Sequence, residues 1–303
     1  MTKQIRPTPM SRRRFLAAGG AGAGALLLGA CGGGRESANG GACDAPATPG
    51  DLSLIQFFGG PVLVAGRPSR APFGVADADG LLPLSATPAR LSVVILDAAC
   101  TPVGSPLTVE RHAAGLPKAY FPLRFSVPEP GVYTARAEFD RGVGEMAMQV
   151  DAAGAVKVIQ PGAPLPGLAT PTERNAEGVD PICTSDPRCP LHAVSVAEAL
   201  GAGAPIALLV STPAFCQVTI CGPVLDVLLS QVAAHPGVQF IHAEVYAHPG
   251  SDPDLADYAP TVDALGLHFE PSLVLAGSNG QVSERLDNIF DETELAAALA
   301  QLR

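Results

Sequence analysis

Near residue 160 the hydrophobic pattern of this chain changes period, so one uniform architecture cannot accommodate both halves. From 52 to about 158 the apolar residues fall in short runs cut by Pro and Gly: 52–58, 61–65, 90–96, 107–111, 120–127, 133–139 and 146–150. Several runs alternate apolar and polar side chains, the period of a strand with one face on a core. Seven or so such strands separated by turns predict an all-β sandwich over 51–158. Residues 159–190 hold a Pro-, Gly-, Thr- and Ala-rich stretch without periodicity, which reads as a linker wrapping over the second domain. From 191 to 303 strands and helices alternate: strand 206–210, helix 217–234, strand 238–245, helix 255–265, strand 272–276, strand 281–286 and helix 292–302. That order predicts a mixed α/β sheet. Ser195 with Glu198 three residues on forms a capping box before a short helix at 196–200. Asn279-Gly280 is a hairpin turn between the last two strands.

The first thirty residues read as an address. Ser11-Arg12-Arg13-Arg14-Phe15-Leu16 is a twin-arginine export pattern, and the apolar stretch after it is too short and glycine-rich for a membrane span. Leu28-Gly29-Ala30-Cys31 resembles the lipobox of bacterial lipoproteins, which implies a diacylglyceryl group on Cys31 and a flexible tether over 31–50. Cleavage before Cys31 takes away five basic residues, leaving 14 Lys+Arg against 29 Asp+Glu and a net charge near −15. Such a surface repels nucleic acid and excludes that class of partner. The membrane enters only through the lipid anchor, on the outer face of the cytoplasmic membrane.

Export to an oxidising compartment gives the remaining six cysteines a reason to pair. Proximity along the chain suggests three bridges: Cys43–Cys100, Cys183–Cys189 and Cys216–Cys221. Cys183 and Cys189, with His192, offer three soft ligands to a metal; the preferred reading is a small bridged loop around Asp186-Pro187, because common zinc spacings are shorter and come with a second pair. Cys216 and Cys221 lie between a strand and a helix, where unpaired backbone N–H groups and the helix dipole favour a thiolate. They read either as a thiol-disulfide couple or as a structural bridge.

The order of elements from 205 to 303, with Pro271 before the strand 272–276, the Asn279-Gly280 turn and a closing amphipathic helix, resembles the thioredoxin fold. The resemblance implies that Pro271 is cis and lies against the redox cysteines, that Cys216 attacks and Cys221 resolves, and that Pro223 kinks the active-site helix. It also marks three departures. Four residues separate the cysteines instead of two, Phe215 replaces the usual tryptophan, and Val210 occupies the place of the family's buried acid, so the proton relay is expected to be missing. A regular helix over 216–221 holds the two Cα atoms roughly 8 to 9 Å apart, too far for a bridge; a disulfide here requires a loop.

In the first half, Pro130-Gly131-Val132-Tyr133 resembles the turn into a tyrosine corner, which points to a sandwich of immunoglobulin or fibronectin-III type. The alternative to redox chemistry is a Sco-like copper protein, in which Cys216, Cys221 and His268 form the ligand set; thiolates with imidazole suit copper. A third reading is a non-catalytic binding module. His112, His235, His242 and His248 have no spaced partner and read as ordinary residues. The sequence reading is therefore a lipid-anchored, exported protein acting on thiols and disulfides of extracytoplasmic proteins, with no cofactor expected.

Overall fold

Runs of alternating hydrophobicity build two sheets in the first half of the chain. The computed structural model describes Cys43 and residues 52–140, 142–249 and 257–302; the leader, Cys31 and the tether lie outside them. In one sheet β2 (Leu63–Val64), β9 (Gly142–Asp151), β8 (Gly131–Phe139), β5 (Arg90–Leu96) and β6 (Leu107–Glu110) lie side by side in that order. Along β5 the side chains of Leu91, Val93 and Ile95 are buried while those of Arg90 and Ser92 are exposed, as period-2 patterning requires. In the other sheet β3 (Ser69–Asp77) pairs antiparallel with β1 (Ser53–Gln56), β4 (Gly80–Leu81) and β7 (Phe121–Phe125). β3 is the strand that the sequence pattern conceals, because Pro72 and Gly74 punctuate it. Both residues fit the strand: the Pro72 carbonyl accepts from the Phe57 N–H at 2.9 Å, and a Cβ on Gly74 would stand 2.5 Å from the Phe57 ring. The Tyr133 hydroxyl donates to the Glu129 carbonyl at 2.9 Å, the local bond a tyrosine corner makes. Cys43 and Cys100 are disulfide-bonded, Cα to Cα 5.4 Å.

The second half forms a four-stranded sheet in the order β11 (Gln239–Ala243), β10 (Ile206–Val210), β12 (Ser272–Ala276), β13 (Val282–Asp287). β10 and β11 are parallel, so a crossover must join them, and α2 (Cys221–Gln231) supplies it. The β10–β12 and β12–β13 pairs are antiparallel. All five residues of β10 and of β12 are buried, because helices and the first half of the chain cover both faces. This parallel-then-antiparallel order is thioredoxin-like. α1 (Val196–Gly201) opens with the capping box read in the sequence, Ser195 and Glu198 exchanging bonds with each other's backbone. α3 (Pro260–Leu265) and α4 (Glu292–Leu299) complete the set. No helix among the described residues is long and apolar enough to cross a membrane.

Two features lock the halves together. The segment after β9 adds itself to the edge of β13: Gly162 donates to Val282 at 2.7 Å, Val282 to Ala163 at 2.9 Å, and Leu165 to Gly280 at 2.8 Å. These bonds cover backbone groups that an edge strand leaves exposed. The second feature is a buried ion cluster on α4. Arg70 of β3 meets Glu294 through two bonds of 2.8 and 2.7 Å, the Tyr120 hydroxyl donates to the same carboxylate at 2.6 Å, and Arg124 reaches it at 2.9 Å. Burial pushes the Glu294 carboxyl up, but the Arg70 charge and the donated hydrogen bonds outweigh it and hold the group below its ordinary value. His112, which reads as unpartnered in the sequence, pairs with Asp291 at 2.8 Å at the same junction.

Candidate functional site

The chain leaves β10 at Val210 and does not enter a helix until Cys221. The expected helix start at 217 is therefore four residues early. Residues 216–220 form a loop in which Thr219 takes a φ of 56°, and this brings the Cys216 and Cys221 Cα atoms to 5.9 Å, where they are disulfide-bonded. Pro223 is the third residue of α2, not a kink in its interior. First-turn N–H groups have no intrahelical partner, so proline there costs no hydrogen bond.

The two sulfurs are unequal. Cys221 is fully buried, whereas Cys216 is only half-buried. The N–H of Cys221, at the first position of α2, donates to the Cys216 sulfur at 3.2 Å. A helix-terminal N–H aimed at a sulfur favours its thiolate, which is the nucleophilic form. Val218, in the same loop, is 54 % exposed.

A carboxyl does lie near the sulfurs, but from another part of the chain. Val210 is apolar and buried, as its place in the strand predicts, but Glu270, the residue before Pro271, carries a carboxylate oxygen within 4.8 Å of both sulfurs. The Glu270–Pro271 bond is cis. Neither Glu270 oxygen has a hydrogen-bond partner of ordinary geometry among the described residues. Burial raises its carboxyl to about 7; the Gln217 backbone opposes the shift and the nearby Glu244 charge adds to it. The family's acid position is therefore apolar, as expected, and a different carboxyl lies near the sulfurs. The signal was present in the sequence as Glu270-Pro271, immediately before the proline that marks the fold, but it lies 60 residues from the strand position where the family keeps its acid.

Glu244, one residue past β11, is fully buried. One of its oxygens accepts from the Thr184 N–H at 2.6 Å while the other has no hydrogen-bond partner of ordinary geometry among the described residues, and burial raises its carboxyl. His268 does not complete a ligand set with the two cysteines. Its Nε2 lies 3.2 Å from the Gly59 carbonyl oxygen and its ring sits edge-on to Phe269. The acidic group gathered with Cys216 and Cys221 is Glu270.

Beside the disulfide loop lies an open groove of about 710 Å³. Gln217 to Ile220 and Glu270 form one wall, and Phe57, Phe58 and Lys118, contributed by the first half of the chain, form another. Tyr258, 59 % exposed and stacked on Tyr246 at 5.7 Å, adds an aromatic rim. The contribution of the β-rich half to this groove has no signal in the sequence.

Cys183 and Cys189 differ from expectation. They are free thiols with sulfurs 3.7 Å apart, both buried, and they face His192 and also His242, which reads as an ordinary residue in the sequence. The hydrogen bond that the sulfurs share lowers Cys183 from its ordinary value and, with burial, raises Cys189.

No family model matches the chain, and no curated protein matches it. Among solved structures it is similar to MTB dsbF, determined in mixed oxidized and reduced forms, at 19 % identity over 37 % of this chain and 91 % of that one, with a TM-score of 0.29. It is also similar to a Chlorobium tepidum protein assigned as the thiol:disulfide interchange protein DsbE, at 15 % identity over 46 % of this chain and 99 % of that one, with a TM-score of 0.33. At these scores the superpositions add nothing to what the strand order and the cysteine geometry establish.

Proposed function

We propose that this chain exchanges thiols and disulfides with extracytoplasmic proteins through Cys216 and Cys221. The observation that carries the reading is the asymmetric pair itself: a half-buried Cys216 receiving the N–H of the first residue of α2, a buried Cys221 behind it, and Glu270 within reach of both. In the reducing direction the Cys216 thiolate attacks a substrate disulfide, forming a mixed disulfide and releasing one substrate thiolate. Cys221 then gives its proton to the Glu270 carboxylate and attacks the Cys216 sulfur. The Cys216–Cys221 bond forms, the second substrate thiolate leaves, and two electrons have passed to the substrate. The oxidising direction runs the same steps backwards. A carboxyl titrating at about 7 is matched to this role, since it is partly ionised at neutral pH and can both take and return a proton. The groove lined by Glu270, with its aromatic walls, suits an extended protein segment better than a small polar thiol. In this reading the two-sheet region is an immunoglobulin-like module that walls the groove, and a lipid on Cys31 holds the protein at the membrane surface.

The deciding experiment is trapping. Cys221→Ser leaves Cys216 unable to resolve its mixed disulfide, so envelope partners accumulate in complexes that dissolve on reduction. Failure of both Cys221→Ser and Cys216→Ser to capture any partner removes the exchange reading.

A further inference from the structure

The structure assigns a second role to the sulfurs of Cys183 and Cys189: with His192 and His242 we infer that they form a closed, tetrahedral Cys2His2 site for one zinc ion. All four side chains are buried, at 7 %, 4 %, 0 % and 0 % exposure. The sulfurs are 3.7 Å apart, Cys183 Sγ is 3.7 Å and Cys189 Sγ 3.4 Å from His242 Nδ1, and Cys189 Sγ is 3.2 Å from His192 Nε2. A tetrahedron built from Zn–S bonds of about 2.3 Å and Zn–N bonds of about 2.0 Å has edges of roughly 3.3 to 3.8 Å. Three of these four separations fall inside that range, the fourth lies about 0.1 Å below it, and all four donor atoms lie within 4.8 Å of one another.

The imidazoles are also oriented for it. His242 Nε2 lies 3.1 Å from the Ser211 carbonyl and 3.0 Å from its hydroxyl. A proton on Nε2 is therefore donated to Ser211, which leaves the Nδ1 lone pair directed at the sulfurs, the outer-shell arrangement that fixes a ligating histidine. His192 turns Nε2 inward, and its Nδ1 has no partner among the described residues. A simple bridge between Cys183 and Cys189 leaves His242 Nδ1 and the His192 ring without a strong partner, and burying polar groups in that state is costly. Zinc binding engages both rings and displaces two thiol protons as the sulfurs become ligands.

The site is structural in kind, since four protein ligands leave no open position for substrate. Its place in the fold explains its use. β11 is an edge strand of the sheet, and the segment ending at His192 is laid along it, with the His242 N–H donating to the Leu191 carbonyl at 3.0 Å. The same segment holds the approach to the redox loop, because the Thr184 hydroxyl accepts from the Ala214 N–H at 3.2 Å, two residues before Cys216. A metal at this point pins the linker to the sheet edge and steadies the start of the loop. If the chain is exported folded, as its leader pattern implies, the site fills where thiols are reduced and the metal then protects them from pairing.

The test uses the full chain purified without added metal. Elemental analysis should give one zinc per chain, with Cys183 and Cys189 resistant to alkylation until a strong chelator removes it. Cobalt substitution should give the visible bands and thiolate charge transfer of a tetrahedral sulfur-ligated site. His242→Ala and Cys189→Ser should lose the metal, while Cys216→Ser, which abolishes exchange chemistry, should keep the full equivalent. Absence of stoichiometric metal from the wild-type protein, or a Cys183–Cys189 disulfide in its peptide map, overturns the site whether or not the variants fold. Copper in place of zinc overturns the zinc assignment.

Discussion

Cys216 and Cys221 stand five residues apart and Cys183 and Cys189 six, yet the first pair is bridged beside an open groove while the second is unbridged and sealed among imidazoles. The loop lengths are nearly the same, so spacing does not separate the two fates. The surroundings do. The first pair straddles the start of a helix, where one sulfur meets a backbone N–H and the other is buried beneath it. The second pair lies between the linker and an edge strand, where two histidine rings from positions 192 and 242 close over it. An N–H donor, a nearby carboxyl and access to solvent favour reactivity in a cysteine pair, whereas burial beside imidazoles favours metal ligation.

The contrast can be broken in several ways. The largest effect concerns exchange itself: Cys216→Ser should lower the rate of disulfide exchange with a protein substrate by roughly 10³-fold or more. Cys183→Ser, if folded by circular dichroism, should retain exchange, and an equal loss in both variants would erase the distinction between the pairs.

Glu270→Gln comes next. Removing the proton acceptor should slow the resolving step by roughly 10²-fold and abolish an inflection near pH 7 in the rate profile. The same residue leaves a signature in stability. The folded protein keeps the Glu270 proton up to about pH 7, whereas the unfolded chain loses it near 4.5. Between those values the folded state binds more protons, so this group makes stability fall as pH rises, by about 2 kcal/mol across the window once solvent screening is allowed for. Urea denaturation at several pH values should show that fall in the wild type and a shallower one in Glu270→Gln; parallel curves would show that the carboxyl is not held protonated.

A redox titration sharpens the comparison among the bridges. Cys216–Cys221, half-buried and served by a helix N–H, should be reduced at a potential above the roughly −300 mV typical of structural disulfides, and Cys43–Cys100 below it. Coincident midpoints would place the first pair among the structural bridges. The smallest effect is expected at Ser211→Ala, which removes one of the two acceptors for His242 Nε2 and should weaken zinc binding by up to about tenfold without changing the exchange rate.

Much of the fold was legible because its determinants are local. β5, β10 and β12 coincide with the runs read at 90–96, 206–210 and 272–276, and the Ser195–Glu198 capping box forms as spaced. Position 271 stood out through its proline. β3 was not legible, because Pro72 and Gly74 imitate a turn and only the packing of Phe57 and Leu81 against Gly74 gives the glycine its purpose. The helix start was misplaced because no proline or glycine in 216–220 breaks a helix, and only the bridge, if formed, demands a loop. In the folded chain the disulfide and the left-handed Thr219 hold that stretch out of one.

The sequence by itself determined which residue types were available, the periods that make strands and helices, and the placing of Cys216 at a strand-to-helix junction. Those follow from interactions within a few residues along the chain. Tertiary structure decided what surrounds each cysteine pair. Glu270 reaches the Cys216 and Cys221 sulfurs from 49 residues beyond Cys221, and His242 reaches Cys183 from a sequence separation of 59. Such encounters are set by the order and register of β10, β11 and β12, and no local pattern encodes them.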